Sequence, residues 1–514
     1  MDLDVQNLPE NPFQLKEIIV SLYTESQREI GRLEEMVRLL KNEIFGRRSE
    51  KRPVADSHQF SLFDVSQGDW LDTTDEPHER QPVDGHTRRR PVRKPLPADL
   101  PRVDIVHDMD ESDKVCGCGK PLCRIGEEVC EKLRYTPAKM MVERHIRPKY
   151  ACKECEGIED NGPTVKIAPP PAQLIPKSFA TGSLVAHIVC AKFEDALPLY
   201  RQEKIFGRLG IDLSRQTMCG WLIKVAGLAQ PLIDLIGQEI RSGSLINIDE
   251  TTVQVMKEPD KADTSKSYMW LFRGGQPDRP SLVFEYHPSR SGKIPLNYLS
   301  GYEGYVQCDA YSGYDALGRQ KGVVLVGCWA HARRKFDEVI KARGGAKRKG
   351  SADEALEYIR QLYVVEKKAR EAELDPDAIR DLRQLESKPV LDEFKTWLDA
   401  KVLVTPPKGL LGKAITYTLN NWQRLGRYLE NGHLRPDNNL AENAIRPFVV
   451  GRKNWLFAGG PDGARATAVY YSLIETAKAN GWKAHDYLTY LLENLPLAKT
   501  EEDYRKLLPQ YCPQ

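Results

Sequence analysis

Three acidic residues, widely spaced along the chain, stand where the local pattern would turn each side chain toward a common place. They are Asp249 in LINIDETTVQV, Asp309 in YVQCDAYSGY and Glu442 in DNNLAENAIRP. Leu245 to Ile248 and Tyr305 to Cys308 are short apolar runs that read as buried strands, which puts the two aspartates at strand ends. A Pro-Asp-Asn-Asn start signal precedes Glu442 and places it at the opening of a helix. Three such oxygen donors around one cleft can hold two hard divalent cations roughly 3.5–4 Å apart, an arrangement suited to breaking a phosphodiester.

Taken singly, acids at strand ends and helix starts are ordinary, because caps and the helix dipole favour them. Their surroundings set these three apart. In DNNLAENAIRPFVVGRKNWLFAGG, Arg446 follows Glu442 by one helical turn on the same face, and Arg452 and Lys453 extend a cationic rim suited to phosphates. In CWAHARRKFDEV, His331, Arg333, Arg334 and Lys335 follow a strand and open a helix. There they either serve the fold or reach a phosphate or a leaving group. Two carboxylates would also suit a glycosidic bond, but the arginine-rich setting favours phosphate.

The chain resembles transposases of the insertion sequence 66 family, from LLKNEIFGRRSEK near the N-terminus to YYSLIETAKANGWKAHDYLTYLL near the C-terminus. That resemblance implies a DDE active site on an RNase H-like fold, with Asp249, Asp309 and Glu442 as catalytic acids and magnesium as the metal, manganese substituting. It also implies DNA strand cleavage and transfer, with transposon ends and target DNA as partners, and small accessory proteins of the same element. Two positions depart from the family pattern: Thr252 stands where proline is usual after the first acid, and Ala310 where glycine is usual after the second. Neither removes a ligand. A DNA-binding regulator that no longer transposes, or another RNase H-like nuclease, are the alternatives; the intact acids weigh against the first, and the additional modules against the second.

At 514 residues the chain is too long for one core, and several folded units are expected. The formal charge is only +2, but it is unevenly distributed: HTRRRPVRK (86–94) and KARGGAKRK (341–349) are basic, whereas the stretch from Asp353 to Asp399 carries many acids. No window of about 18 consecutive apolar residues occurs, and a soluble cytoplasmic protein, associated with the nucleoid when on DNA, is expected.

Tyr23, Ile30, Leu33, Val37, Leu40 and Ile44 follow a coiled-coil seam, so residues 1–52 read either as a self-association zipper or as a helix packed on its own chain. Residues 53–112 lack hydrophobic period and read as a flexible basic linker. A cysteine cluster at 113–170 holds Cys116, Cys118, Cys123, Cys130, Cys152 and Cys155. Its spacing suits a structural zinc held by Cys116, Cys118, Cys152 and Cys155, with Cys123 as the alternative in the first pair. Within 171–243, LPLYRQEKIFGRLGIDLSRQTMCGWL reads as helix, turn at Gly210, Ser214 cap and second helix. This is a helix-turn-helix or a plain helical hairpin; in the first case Arg215, Gln216 and Thr217 would meet DNA.

The fold class expected is multidomain α/β. A mixed sheet with flanking helices occupies 244–343 and 433–470, with strands at Thr252–Met256, Tyr268–Arg273, Ser281–Tyr286, Tyr305–Cys308 and Val323–Gly327. Residues 344–432 read as a helical insertion splitting this core, and 471–514 as a C-terminal helical region broken at Asn480-Gly481.

Overall fold

A computed structural model describes residues 11–45, 80–83, 86–89, 140–151, 165–343 and 349–512. The chain divides into two compact units, Met1–Val65 with Pro171–Gln514 in one and Ser66–Pro170 in the other. Among the described residues the smaller unit contains two antiparallel strand pairs. Strand β1 (Arg80–Val83) pairs with β2 (His86–Arg89), and β3 (Lys149–Ala151) with β4 (Val165–Ile167). The first pair lies within the stretch 53–112 that reads as a flexible basic linker. Its register pairs Val83 with His86. All six cysteines of the expected zinc cluster lie outside the described residues.

In the larger unit, helix α1 (Pro12–Phe45) carries its apolar seam outward: Tyr23, Ile30, Leu33, Val37 and Leu40 are all exposed. Helices α2 (Gly182–Phe193), α3 (Leu199–Arg208), α4 (Arg215–Leu228) and α5 (Gln230–Ser242) follow. Gly210 makes the turn after α3 with φ of 78°, a conformation that costs glycine little. The Ser214 hydroxyl then accepts from the Thr217 N–H at 3.2 Å and caps α4, as its position predicts. No single described helix is long and apolar enough to cross a membrane.

The central sheet has five strands: β5 (Leu245–Gln254), β6 (Lys266–Gln276), β7 (Arg279–His287), β8 (Gly304–Gln307) and β9 (Val323–Val326). Their order is β7-β6-β5-β8-β9; the first three run antiparallel, and β8 and β9 join β5 in parallel. The run before Asp249 and the run from Thr252 belong to one strand, so Asp249 lies within β5 and not at a strand end. Antiparallel pairing with β6 continues from Asn247 to Gln254, whereas the parallel neighbour β8 leaves β5 after Asn247. Asp249 therefore sits where the sheet opens on one side.

Met269, Trp270, Leu271 and Phe272 on β6 are all fully buried, so this strand has apolar neighbours on both faces. The edge strand β7 is protected by a helix. Ser472 and Thr476 of α14 (Pro461–Ala479) accept from the backbone N–H groups of Phe284 and Leu282 at 2.8 and 3.0 Å. This arrangement blocks further strand addition at that edge.

Helix α6 (Lys293–Tyr298) links β7 to β8, and α7 (Trp329–Ala342) follows β9. A helical layer comes next: α8 (Ser351–Glu371), α9 (Pro376–Leu382), α10 (Lys388–Val404), α11 (Leu410–Asn420) and α12 (Trp422–Gly426). It has its own core, in which Phe394 packs against Trp329, Tyr358, Trp397 and Trp422. Helix α13 (Asn439–Trp455) returns to the sheet, and α14, α15 (Ala484–Asn494) and α16 (Glu501–Lys506) complete the unit. The break between α14 and α15 falls at Asn480-Gly481, as read from the sequence.

Candidate active site

Each of the three acids is preceded by a buried amide, and the amides bond to one another. Asn247 lies two residues before Asp249 on β5, Gln307 two before Asp309 at the end of β8, and Asn438 four before Glu442 at the start of α13. Their exposures are 1%, 0% and 2%. Asn247 Nδ2 donates to Gln307 Oε1 at 3.1 Å and to Asn438 Oδ1 at 3.0 Å. Asn438 Nδ2 donates to the Ile248 carbonyl at 2.8 Å, and Gln307 Nε2 to the Arg435 carbonyl at 2.7 Å. Buried amides must be paired, so this network sets the mutual register of the three elements that carry the acids.

Replacing Asn438 with alanine strands Asn247 and the Ile248 carbonyl in the core. The expected cost is about 2–6 kcal/mol, from two unmet groups at about 1–3 kcal/mol each. Denaturant unfolding checks it; a loss below about 0.5 kcal/mol would mean the network contributes nothing.

Above the amides, burial first, then the charges of Glu250, Glu442 and Asp309, push the Asp249 carboxyl well above the usual range. Its Oδ1 accepts from the Glu250 N–H at 2.9 Å. Asp309 Oδ1 accepts from the Tyr311 N–H at 2.9 Å, and its Oδ2 lies 3.9 Å from Arg290 Nη2. Glu442, in the first turn of α13, faces α7: His331 Nδ1 is 3.6 Å from Oε1 and Arg334 Nη2 is 3.6 Å from Oε2. The structure thus sets His331 and Arg334 against the third acid. Burial lowers the affinity of His331 for a proton. Its Nδ1 is buried and lacks a hydrogen-bond partner.

Cys328 completes this corner and was not singled out in the sequence. It is buried, accepts the Asn438 N–H at 3.2 Å, and its Sγ is 3.9 Å from Glu442 Oε1. The ligand atoms of Cys328, His331 and Glu442 lie within 4.8 Å of one another, a span that a metal ion could bridge. Burial, followed by the charges of Glu442 and Asp437, pushes the thiol up, so Cys328 is a neutral packing group and not a ready thiolate.

The cationic rim divides. Arg452 Nη1 donates to the Thr251 and Thr252 hydroxyls, each at 3.1 Å, so threonine at the departure from the family's proline gains a hydrogen bond. Arg452, Lys453 and Lys266 line a cleft of about 280 Å³ beside β5 and β6. Arg446 is exposed on α13. Arg215 and Gln216 are exposed at the start of α4, where the Arg215 N–H donates to Glu203 Oε1 at 3.0 Å.

A half-buried, mutually repelling set of carboxylates with cations on its rim is an arrangement able to gather a hard cation. Comparison with known proteins is specific about the lineage: the chain belongs to the Transposase IS66 family, whose profile matches residues 177–466. Three further profiles match in order. They are Transposase C of IS166 homeodomain over 32–105, the zinc-finger binding domain of transposase IS66 over 113–156, and the IS66 C-terminal element over 472–510. Relatives in Sinorhizobium fredii include the uncharacterized protein y4jD, 34% identical with 97% of this chain and 96% of its own covered. The uncharacterized protein y4qI is 30% identical, with 93% of this chain and 88% of its own covered.

Proposed function

We propose that this chain is a DDE transposase that binds the ends of its mobile element, cuts the 3′ strands with water and joins the 3′ hydroxyls to target DNA. The observation that supports the reading is the network joining Asn247, Gln307 and Asn438, together with the charge repulsion that Glu442 and Asp309 exert on Asp249. The strand order and directions support an RNase H-like core.

The donor set fits magnesium. All three groups are carboxylates, and the upward push on Asp249 marks acids gathered without enough positive charge of their own. When bound, two magnesium ions, or manganese in their place, supply an activated water and charge for the leaving oxygen. Asp249, Asp309 and Glu442 would hold them. His331 and Arg334 hold Glu442 in place, and Arg334 with Arg446, Arg452 and Lys453 faces the DNA backbone. Arg215 and Gln216 would read or grip the element end. Cys116, Cys118, Cys152 and Cys155 would hold a structural zinc, with Cys123 the alternative for Cys118. The outward seam of α1 would pair two copies, and small accessory proteins would join on the DNA, within the cytoplasm.

Duplexes made from the DNA bordering this reading frame test the function. The full chain should nick the 3′ strand at the element boundary with magnesium or manganese and not with EDTA. Binding of those duplexes with no cutting in either metal would favour a DNA-binding regulator.

A further inference from the structure

Glu250 is a second carboxylate directly beside Asp249, yet it is not available to a ligand. Its side chain is 2% exposed, the Tyr314 hydroxyl donates to Oε2, and Arg290 bonds Oε1 through Nε and Nη2. Arg290 stands on the loop between β7 and α6, in the segment Ser289-Arg290-Ser291-Gly292. Three contacts fix that loop. The Arg290 guanidinium lies 3.8 Å from the Tyr311 ring centroid, and the Tyr311 hydroxyl donates to the Arg290 carbonyl at 2.7 Å. Gly292 backs directly onto Gly313, since a Cβ there would meet the Gly313 carbonyl oxygen at 2.2 Å. A side chain at 292 would push the loop away.

A counter-ion for Glu250 could be sealed inside, and Arg290 is not. It remains 37% exposed, and Nη2 reaches within 3.9 Å of Asp309 Oδ2. One edge of the guanidinium is thus committed to a buried carboxylate, its plane is set by an aromatic ring, and its remaining edge is open beside an acid of the centre. A guanidinium oriented in this way offers a planar fork of donors to an oxyanion.

We propose that Arg290 is a phosphate-contacting residue of the cleavage centre, oriented by Glu250 and Tyr311, whose open edge donates to a non-bridging oxygen of the phosphodiester held at Asp309. The proposal rests on the reading of Asp249, Asp309 and Glu442 as that centre. Arg290 makes and breaks no covalent bond and moves no proton; it donates hydrogen bonds to charge that grows on the phosphate oxygens as the bond to the leaving oxygen breaks. Glu250 acts through Arg290 and is a positioning residue.

The test uses the full chain and two boundary duplexes, one natural and one with a neutral methylphosphonate at the scissile position. Because Arg290→Ala leaves a buried carboxylate unpaired, the working variants are Arg290→Lys and the neutral pair Arg290→Gln with Glu250→Gln, each required to melt cooperatively. In EDTA the wild type should bind the natural duplex about 10-fold more tightly than the methylphosphonate duplex, as expected for one hydrogen bond to a charged oxygen. The neutral pair should bind both equally, and cut the natural duplex in manganese about 100-fold more slowly. Arg290→Lys should fall between. Wild-type cutting by the neutral pair, or an unchanged preference for the natural duplex, overturns the proposal. Asp309→Ala separates the two levels: if it is inactive while the neutral pair cuts normally, only the role of Arg290 fails. If Asp309→Ala itself cuts, the reading of the acids fails and this proposal with it.

Discussion

Asp249→Asn should abolish 3′-strand cleavage, by about 10³-fold or more, and at the same time raise the melting midpoint of the metal-free protein at pH 8. Both effects have one cause. Burial and the neighbouring charges of Glu250, Glu442 and Asp309 favour the protonated form of Asp249 in the folded chain. Stability linked to this carboxyl is therefore fully present at acid pH, below its unfolded value, and is lost as pH rises toward the raised folded value. At pH 8 the folded chain must either keep a proton on Asp249 or hold its charge in the core, and asparagine of nearly the same shape removes that penalty. It also removes a charged oxygen donor, and sites of this kind lose most of their rate when a group that stabilises developing charge is taken away. Magnesium should then raise the midpoint of the wild type and leave Asp249→Asn nearly unchanged, because only a ligand that binds the folded state stabilises it. A variant that melts lower than wild type in EDTA, or still cuts, would contradict the electrostatic picture.

The second large effect lies away from the centre. Arg383, in a π-helical turn between α9 and α10, is 2% exposed, and every N–H of its guanidinium is committed. Nε and Nη2 bond Glu366 at 2.8 and 2.7 Å; Nη1 reaches the carbonyls of Tyr428 and Asn431, and Nη2 that of Leu434. These carbonyls belong to the segment that leads to Asn438 and Glu442, so one side chain clamps the helical layer to the approach of the third acid. Arg383→Met leaves Glu366 and three carbonyls without their partner, and breaking a buried pair from one side costs about 3–5 kcal/mol. Denaturant unfolding should show that loss. Glu366→Gln with Arg383→Gln should cost less, because no lone charge remains; equal losses would mean that the charge pair is not the source.

Much of this architecture was legible because its signals are local. Apolar runs gave the strands, Ser214 and Gly210 gave the turn into α4, and Asn480-Gly481 gave the break between α14 and α15. The acids stood out because each lies beside such a signal. What escaped was whatever depends on partners distant in the chain. Asn247, Gln307 and Asn438 are unremarked amides until β5, β8 and α13 meet, and their bonds span 60 and 191 residues. Glu250 and Arg290 likewise look like surface charges until the loop after β7 folds back on Tyr311 and Tyr314. By sequence Asp249 stands at a strand end because β5 looks like two runs; only the longer pairing with β6 joins them.

The most direct measurement of the central claim is anomalous diffraction from manganese in crystals of the full chain with its boundary DNA. The account predicts manganese bounded by carboxylate oxygens of Asp249, Asp309 and Glu442, with the scissile phosphate against it. Manganese bound elsewhere, with those three side chains free of metal while the DNA is in place, would contradict it.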